Sequence, residues 1–325
     1  TMLVLNAVDI QKVYTMKDAI EADKQALRMY TQGLTEVPLR INFDAKKGQN
    51  LFMPAYIKEL DVSGIKIVSV FPDNPKIGKN SVPAQVLLLD PETGEVCALI
   101  DGTYLTQLRT GAVQGAGTDL LARKDAANAV LIGSGGQAAS QLEAMLTVRP
   151  LKKVAIFDID LERAKTFASN MSTKFAKFGV NIYASTNLDE DIAQADIITS
   201  VTTSKAATFK GELVKKGAHV NGVGAYTPEM HEIPESVVKR AAIRVLDTKD
   251  GVFAEAGDII DPINHGLVSK ADFFELGDLV IDPKKCRQSD EQVTLFKTVG
   301  SAVLDVVVGY DIYLKAKKMG IGTEI

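Results

Sequence analysis

Residues Ala129 to Asp158 read AVLIGSGGQAASQLEAMLTVRPLKKVAIFD. An apolar run enters a turn with the pattern G-x-G-x-x-A, a helical stretch follows, and a second apolar run closes on an acid. That order predicts strand, turn, helix and strand, the βαβ unit that binds a dinucleotide. Each residue of the turn has a physical reason to be there. Gly133 permits the tight turn, Gly135 lets the backbone reach a pyrophosphate, and Ala138 lets helix and strand pack closely. The helix N-terminus then offers unpaired N–H groups to the anion. A glycine-rich turn alone could bind nothing. Here it follows a strand and opens a helix, and Asp158 stands about twenty residues beyond Ala138, as a nucleotide site requires.

Asp158 also bears on which dinucleotide is bound. A carboxylate at that place accepts hydrogen bonds from ribose hydroxyls and repels a 2′-phosphate. Ile159, Asp160, Leu161 and Glu162 come next, and no arginine stands ready before Arg163. The expected cofactor is NAD rather than NADP.

The rest of the chain sets bounds. Its 325 residues suffice for two domains, and with 24% charged residues and a net charge of -4 it has no basic surface for nucleic acid. Apolar stretches fall short of a membrane span, and the opening TMLVLNAVDI lacks the basic start of a signal peptide, so a cytoplasmic protein is expected. Cys97 and Cys286 lie far apart, and His219, His231 and His265 form no ligand spacing, so no metal site is expected.

Strand candidates continue at Asn181 to Ala184, Asp196 to Val201, Ala218 to Val223 and Ile243 to Asp247, giving about six strands. The expected fold class is α/β: a Rossmann-type doubly wound sheet over residues 123–293, with a strand-rich α+β domain beside it. The first 120 residues build that second domain. Thr15 and Asp18 form a capping box for a helix that Gly33 ends. A strand is expected where Val37, Leu39, Ile41 and Phe43 alternate with Pro38, Arg40 and Asn42, and another from Gly64 to Phe71. VLLLD and EVCALID flank the turn PETG as a hairpin, and a helix with small residues at Gly111, Ala112, Gly115 and Ala116 runs from about Tyr104 to Ala122. The last helix, expected from about Thr294 to Met319, carries an apolar stripe with no strand after it, and its natural partner is the domain of residues 1–122. That domain would then be discontinuous, 1–122 plus 294–325, and serve substrate binding and dimerisation.

Three cations invite chemistry. Lys66 sits on a largely apolar strand, where it must snorkel, pair with an acid or work in a pocket. Arg109 stands alone in LTQLRTGAVQGAG, and its fork suits a substrate carboxylate or an internal acid equally. With Arg40 they could receive an amino or oxo acid, or form an internal charge network.

In VPLRINF, GIKIVSVFP, LRTGAVQGAGTDLLAR, LIGSGGQA, SVTTS, VGAYTPEMHEI and TLFKTVGSAVLDVVVGYDIY the chain resembles the ornithine cyclodeaminase and μ-crystallin family over essentially its whole length. The resemblance implies an NAD(P)-dependent enzyme of amino-acid or cyclic-imine chemistry, usually a homodimer joined through the strand-rich domain. It implies a substrate-carboxylate cluster of Arg40, Lys66 and Arg109, with Lys66 also polarising or protonating the reacting carbonyl or imine. Ser81 takes the place of a hydroxyl near the cofactor, and Arg109 is implied there too. Gly136 and Gln137 match the pyrophosphate contacts, Asp158 the ribose ligand and Thr202 a further cofactor contact. Gly222, Val223, Gly224 and Ala225 match the strand edge under the nicotinamide, while Thr298 and Val299 match a segment that closes over the site.

One departure is informative. Where the family's cyclodeaminases carry a proton-accepting Asp and, four residues on, a cofactor-holding Lys, this chain has Tyr226 and Met230. A phenol is a poorer base than a carboxylate, whereas hydride reduction of a protonated imine has less need of one. The leading expectation is an NAD-dependent oxidoreductase interconverting an α-imino or α-oxo acid and an α-amino acid, with Tyr226 lining the pocket. A cyclodeaminase that turns ornithine into proline with internally recycled NAD stands second, and a non-catalytic nucleotide-binding protein third.

Overall fold

The computed structural model describes residues 1–325, and the chain divides into two units, Thr1–Arg109 with Ser301–Ile325 and Thr110–Gly300. The first unit opens with β1 (Leu3–Leu5), α1 (Ala7–Val13) and α2 (Met16–Thr31). The Thr15 hydroxyl accepts from the Asp18 N–H at 3.1 Å and the Asp18 carboxylate from the Thr15 N–H at 3.0 Å, so the capping box starts α2. Then come β2 (Thr35–Glu36), β3 (Ile41–Ala45), β4 (Gly48–Ile57), β5 (Val62–Val70), β6 (Ala84–Leu89), β7 (Val96–Asp101) and α3 (Gly102–Leu121), whose residues from Thr110 belong to the second unit.

The second unit continues through β8 (Asn128–Ile132), α4 (Ala138–Val148), β9 (Lys153–Phe157), α5 (Leu161–Lys174), β10 (Asn181–Ala184), α6 (Leu188–Gln194), β11 (Ile197–Ser200) and β12 (His219–Gly222). It ends with α7 (Glu235–Arg240), β13 (Ile243–Leu246), α8 (Lys249–Glu255), α9 (Gly257–Asn264), β14 (Phe274–Glu275), α10 (Leu276–Ile281) and β15 (Thr294–Lys297). The chain then returns to the first unit as α11 (Ala302–Met319) and β16 (Thr323–Glu324).

The sheet of the first unit runs β16-β1-β7-β6-β5-β4-β2, with β3 also on β4, and is antiparallel except between β1 and β7. Burial alternates along β5: Val62, Gly64, Lys66 and Val68 are buried, while Ser63, Ile65 and Ile67 are half-buried. Helix α11 packs on α2 and on β4, β5 and β6. Gly64 admits it, because a Cβ there would stand 2.8 Å from the Leu87 carbonyl and 3.1 Å from Val306.

The strand expected from Val37 is corrected. Only Ile41 onward pairs, with β4 alone, since Pro38 has no N–H to offer a ladder. The apolar row there faces solvent, with Leu39 90% and Phe43 59% exposed.

The second unit holds an all-parallel sheet in the order β10-β9-β8-β11-β12-β15-β13-β14. Its eight strands exceed the expected six. Residues 294–297, expected as the start of the last helix, are instead β15, inserted between β12 and β13. All of Thr294, Leu295, Phe296 and Lys297 are buried, so the run has no alternation to mark it as a strand. Helix α11 begins at Ala302 behind the Ser301 cap. No helix of the chain is long and apolar enough to cross a membrane.

Candidate functional site

The expected site residues divide between the units: Arg40, Lys66, Ser81 and Arg109 lie in the first, all the others in the second. Ser81 sits in the loop between β5 and β6, where its carbonyl accepts from the Phe71 N–H at 2.8 Å.

In the second unit the turn after β8 is shaped for an anion. Gly133 has φ +106°, and a Cβ on it would stand 2.5 Å from the Val201 carbonyl, which only glycine avoids. In front of Gly135 and Gly136 nothing lies within 4 Å of a built Cβ, so the backbone is open to a ligand's close approach. Gln137 is the N-cap of α4, and its buried Oε1 has no hydrogen-bond partner. Asp158 is held from two sides: Oδ2 accepts from the Ser134 hydroxyl at 2.5 Å and Oδ1 from the Asp160 N–H at 2.9 Å. Burial opposes its charge, yet these hydrogen bonds and Arg163 hold its carboxyl below the usual carboxylate range. The residues present fit NAD, since an open glycine turn at a helix N-terminus suits a pyrophosphate and an oriented carboxylate suits a ribose hydroxyl. Exchanging Asp158 for Ser should narrow the preference for NADH over NADPH by about tenfold, one step of 1.4 kcal/mol. The ratio of kcat/KM for the two coenzymes checks this, and an unchanged ratio removes Asp158 from the selection.

Thr202 follows β11, and Gly222, Val223, Gly224 and Ala225 lead out of β12 to Tyr226, which is 46% exposed. The segment after β15 is pinned by a residue that no sequence motif marks. The Asp247 Oδ2 accepts from the Thr298 hydroxyl at 2.6 Å, the Val299 N–H at 3.0 Å and the Gly300 N–H at 2.9 Å.

In the first unit, Lys66 and Arg109 meet on a shared acid. Lys66 is 2% exposed and Arg109 5%, so neither snorkels to solvent. The Lys66 Nζ lies 3.0 Å from Asp305, and the Arg109 Nε donates to the Asp305 Oδ1 at 2.8 Å. The internal ion pair left open by sequence is therefore present, and its acid comes from α11. Asp305 engages Arg109 through Nε rather than the terminal fork, the part that grips a carboxylate in two-point fashion. Burial, Arg109 and Arg40 push the Lys66 ammonium down, Asp305 opposes them, and the result is about 8. Arg40 thus stands within electrostatic reach of Lys66.

A second acid without a sequence motif, Asp23 of α2, is wholly buried without a hydrogen-bond partner. Burial pushes its carboxyl well above the usual range, Arg109 opposes this and Asp305 adds to it. Lys66 and Arg109 are two buried cations bonded to a single acid, Asp305, an arrangement suited to a carboxylate ligand. The cue in the sequence was Asp305 itself, one acid within the apolar run AVLDVVV.

Comparison with known proteins gives a consistent picture. Residues 1–320 match the profile of the ornithine cyclodeaminase/mu-crystallin family. A Delta(1)-pyrroline-2-carboxylate reductase of Bacillus cereus is 37% identical over 327 residues, covering 100% of this chain and 99% of that protein. The solved Delta(1)-pyrroline-2-carboxylate reductase of Thermococcus litoralis, in complex with NADH and L-proline, has a TM-score of 0.92 at 37% identity, with 100% of both chains covered. An archaeal alanine dehydrogenase dimer with bound NAD has a TM-score of 0.88 at 31% identity, covering 100% of this chain and 98% of that one. These full-length likenesses bear out the α/β fold class and NAD as the cofactor.

Proposed function

Because the chain belongs to the ornithine cyclodeaminase/mu-crystallin family, we propose that this NAD-dependent oxidoreductase reduces a cyclic α-imino acid, Δ1-pyrroline-2-carboxylate, to L-proline with NADH. The observation that carries the reading is the buried Lys66, an ammonium brought to about 8 and paired to Asp305. A group of that acidity can give up a proton near neutral pH and regain it from water.

Reduced NAD, when bound, supplies a hydride to the imine carbon. The chain's own groups do the rest. Arg40 and Arg109 hold the substrate carboxylate, the latter with its terminal fork, and Lys66 gives its proton to the imine nitrogen. The C=N π pair becomes the new N–H bond, so one hydride and one proton complete the amine. Tyr226 stands in the sequence where the family's cyclodeaminases carry a proton-accepting Asp, and the loss of that base suits reduction over deamination. Regenerated NADH implies the cytoplasm, and neither Cys97 nor Cys286 is in a disulfide.

The active form is a homodimer. Phe52, Ile65, Ile67, Leu87 and Leu99 form the half-buried apolar face of the first unit's sheet, and exposed Leu39, Ile41 and Phe43 extend its edge. A face of that kind seeks a second copy.

The experiment is NADH consumption by the purified chain with Δ1-pyrroline-2-carboxylate. Proline should form in equal amount to the NADH lost. Ammonia and proline from ornithine, with no net change in NADH, would instead identify a cyclodeaminase. Nucleotide binding with no turnover of any imino or oxo acid would leave a binding protein.

A further inference from the structure

The loop after β12 carries Glu232, an acid with no part in the chemistry above. It is wholly buried, and its carboxylate accepts from four donors. Oε2 takes the Ser200 hydroxyl at 2.7 Å, the Thr202 N–H at 2.6 Å and the Thr202 hydroxyl at 2.9 Å; Oε1 takes the Ala225 N–H at 2.7 Å. One side chain therefore ties the loop leaving β11 to the loop leaving β12. The two loops touch at Gly224, where a Cβ would stand 2.0 Å from the Thr202 carbonyl.

Glu232 is itself anchored. Its N–H and that of Ile233 donate to the Asp258 Oδ1 at 2.6 and 2.9 Å. Buried Lys297 places its Nζ 3.7 Å from the Asp258 Oδ2 and has no hydrogen-bond partner, so it acts as a positive charge rather than as a donor. Burial pushes the Glu232 carboxyl up, while Lys297 and the donors from Ser200 and Thr202 oppose it. One further buried acid, Asp258, and one buried lysine thus fix the Glu232 side chain under the two loops.

The sheet order says what those loops are for. The anion turn after β8 and Asp158 after β9 take the pyrophosphate and the adenosine ribose, and β11 and β12 lie on the other side of β8. The loops joined by Glu232 therefore fall to the nicotinamide half of the dinucleotide.

We propose that Glu232 is a positioning residue for the nicotinamide half of NADH, acting through Thr202 and Ala225; this rests on the NADH reading above. The test is the Glu232→Gln variant of the full chain, titrated with NADH by its fluorescence and with ADP-ribose by calorimetry. Glutamine offers a donor where Glu232 meets only donors, so one loop loses its anchor. The Kd for NADH should rise about tenfold or more, as for the loss of a hydrogen bond to a charged group. ADP-ribose, which lacks the nicotinamide, should bind within about twofold of wild type by the same measure. Equal weakening of both ligands, or of neither, overturns the proposal, since a brace for the whole fold would not distinguish them. If the Gln variant does not fold, Ser200→Ala removes one of the four bonds and should show the same selectivity with a smaller loss. Its failure to do so overturns the proposal equally. A wild-type chain that binds ADP-ribose but no NADH overturns the functional reading instead.

Discussion

The Lys66→Met variant is expected to lower kcat/KM for imine reduction by about a thousandfold, the middle of the range for a positioned general acid, while its Kd for NADH stays within about twofold of wild type. Methionine keeps the length of the side chain and removes only the ammonium. Asp305 keeps its bond to the Arg109 Nε, so the acid is not stranded. The pH dependence gives a second readout with a definite sign. Burial, then Arg109 and Arg40, lower the Lys66 ammonium to about 8 against the opposing pull of Asp305. Only the ammonium donates, so wild-type kcat/KM should be level below about pH 8 and fall tenfold per unit above it. In the Met variant that limb should vanish. Lys66→Arg should not restore the rate, because a guanidinium holds its proton throughout this range. Activity within about threefold of wild type in the Met variant, or an alkaline limb that survives the substitution, removes the acid role from Lys66.

What could be read from the sequence had a local signature. The turn at Gly133, Gly135 and Ala138, the Thr15 and Asp18 cap, and the alternation that put Lys66 on one face with Gly64 and Val68 are each set by neighbours a few residues away. The missed parts depend on distant residues. Lys66 and Asp305 are 239 positions apart, and nothing around either names the other. Glu232 reads as one polar residue in a loop until β11 and β12 are side by side. The strand β15 escaped because parallel neighbours bury both its faces, so Thr294 to Lys297 shows none of the alternation of β5. At the first unit's edge the reverse occurred: Leu39, Ile41 and Phe43 alternate as a buried strand would, yet within this chain they face outward.

Removing the shared acid is the harsher change. Asp305→Ala leaves Lys66 and Arg109 buried without their common partner, and breaking a buried pair from one side costs about 3–5 kcal/mol. For a chain of this size, Tm should fall by roughly 10 °C. The loss should be smaller in Asp305→Asn, whose amide oxygen still accepts from one cation. The two cations also change chemically. Asp305 raises the Lys66 ammonium, so without it Lys66 falls further below about 8 and the alkaline limb of kcat/KM moves to lower pH. Asp23 does not stay a bystander: burial keeps its carboxyl high, Asp305 adds to this and Arg109 opposes it, so loss of Asp305 brings it down toward ionisation. Asp23 is then the remaining buried acid within electrostatic reach of Arg109. An Asp23→Asn change should therefore be mild alone and severe on top of Asp305→Asn, a coupling of about 1 kcal/mol or more in a double-mutant cycle. Thermal melting of the four proteins and the pH profile of Asp305→Asn decide the matter. Additive melting shifts with an unmoved alkaline limb would show that the buried acids neither share a charge nor tune Lys66.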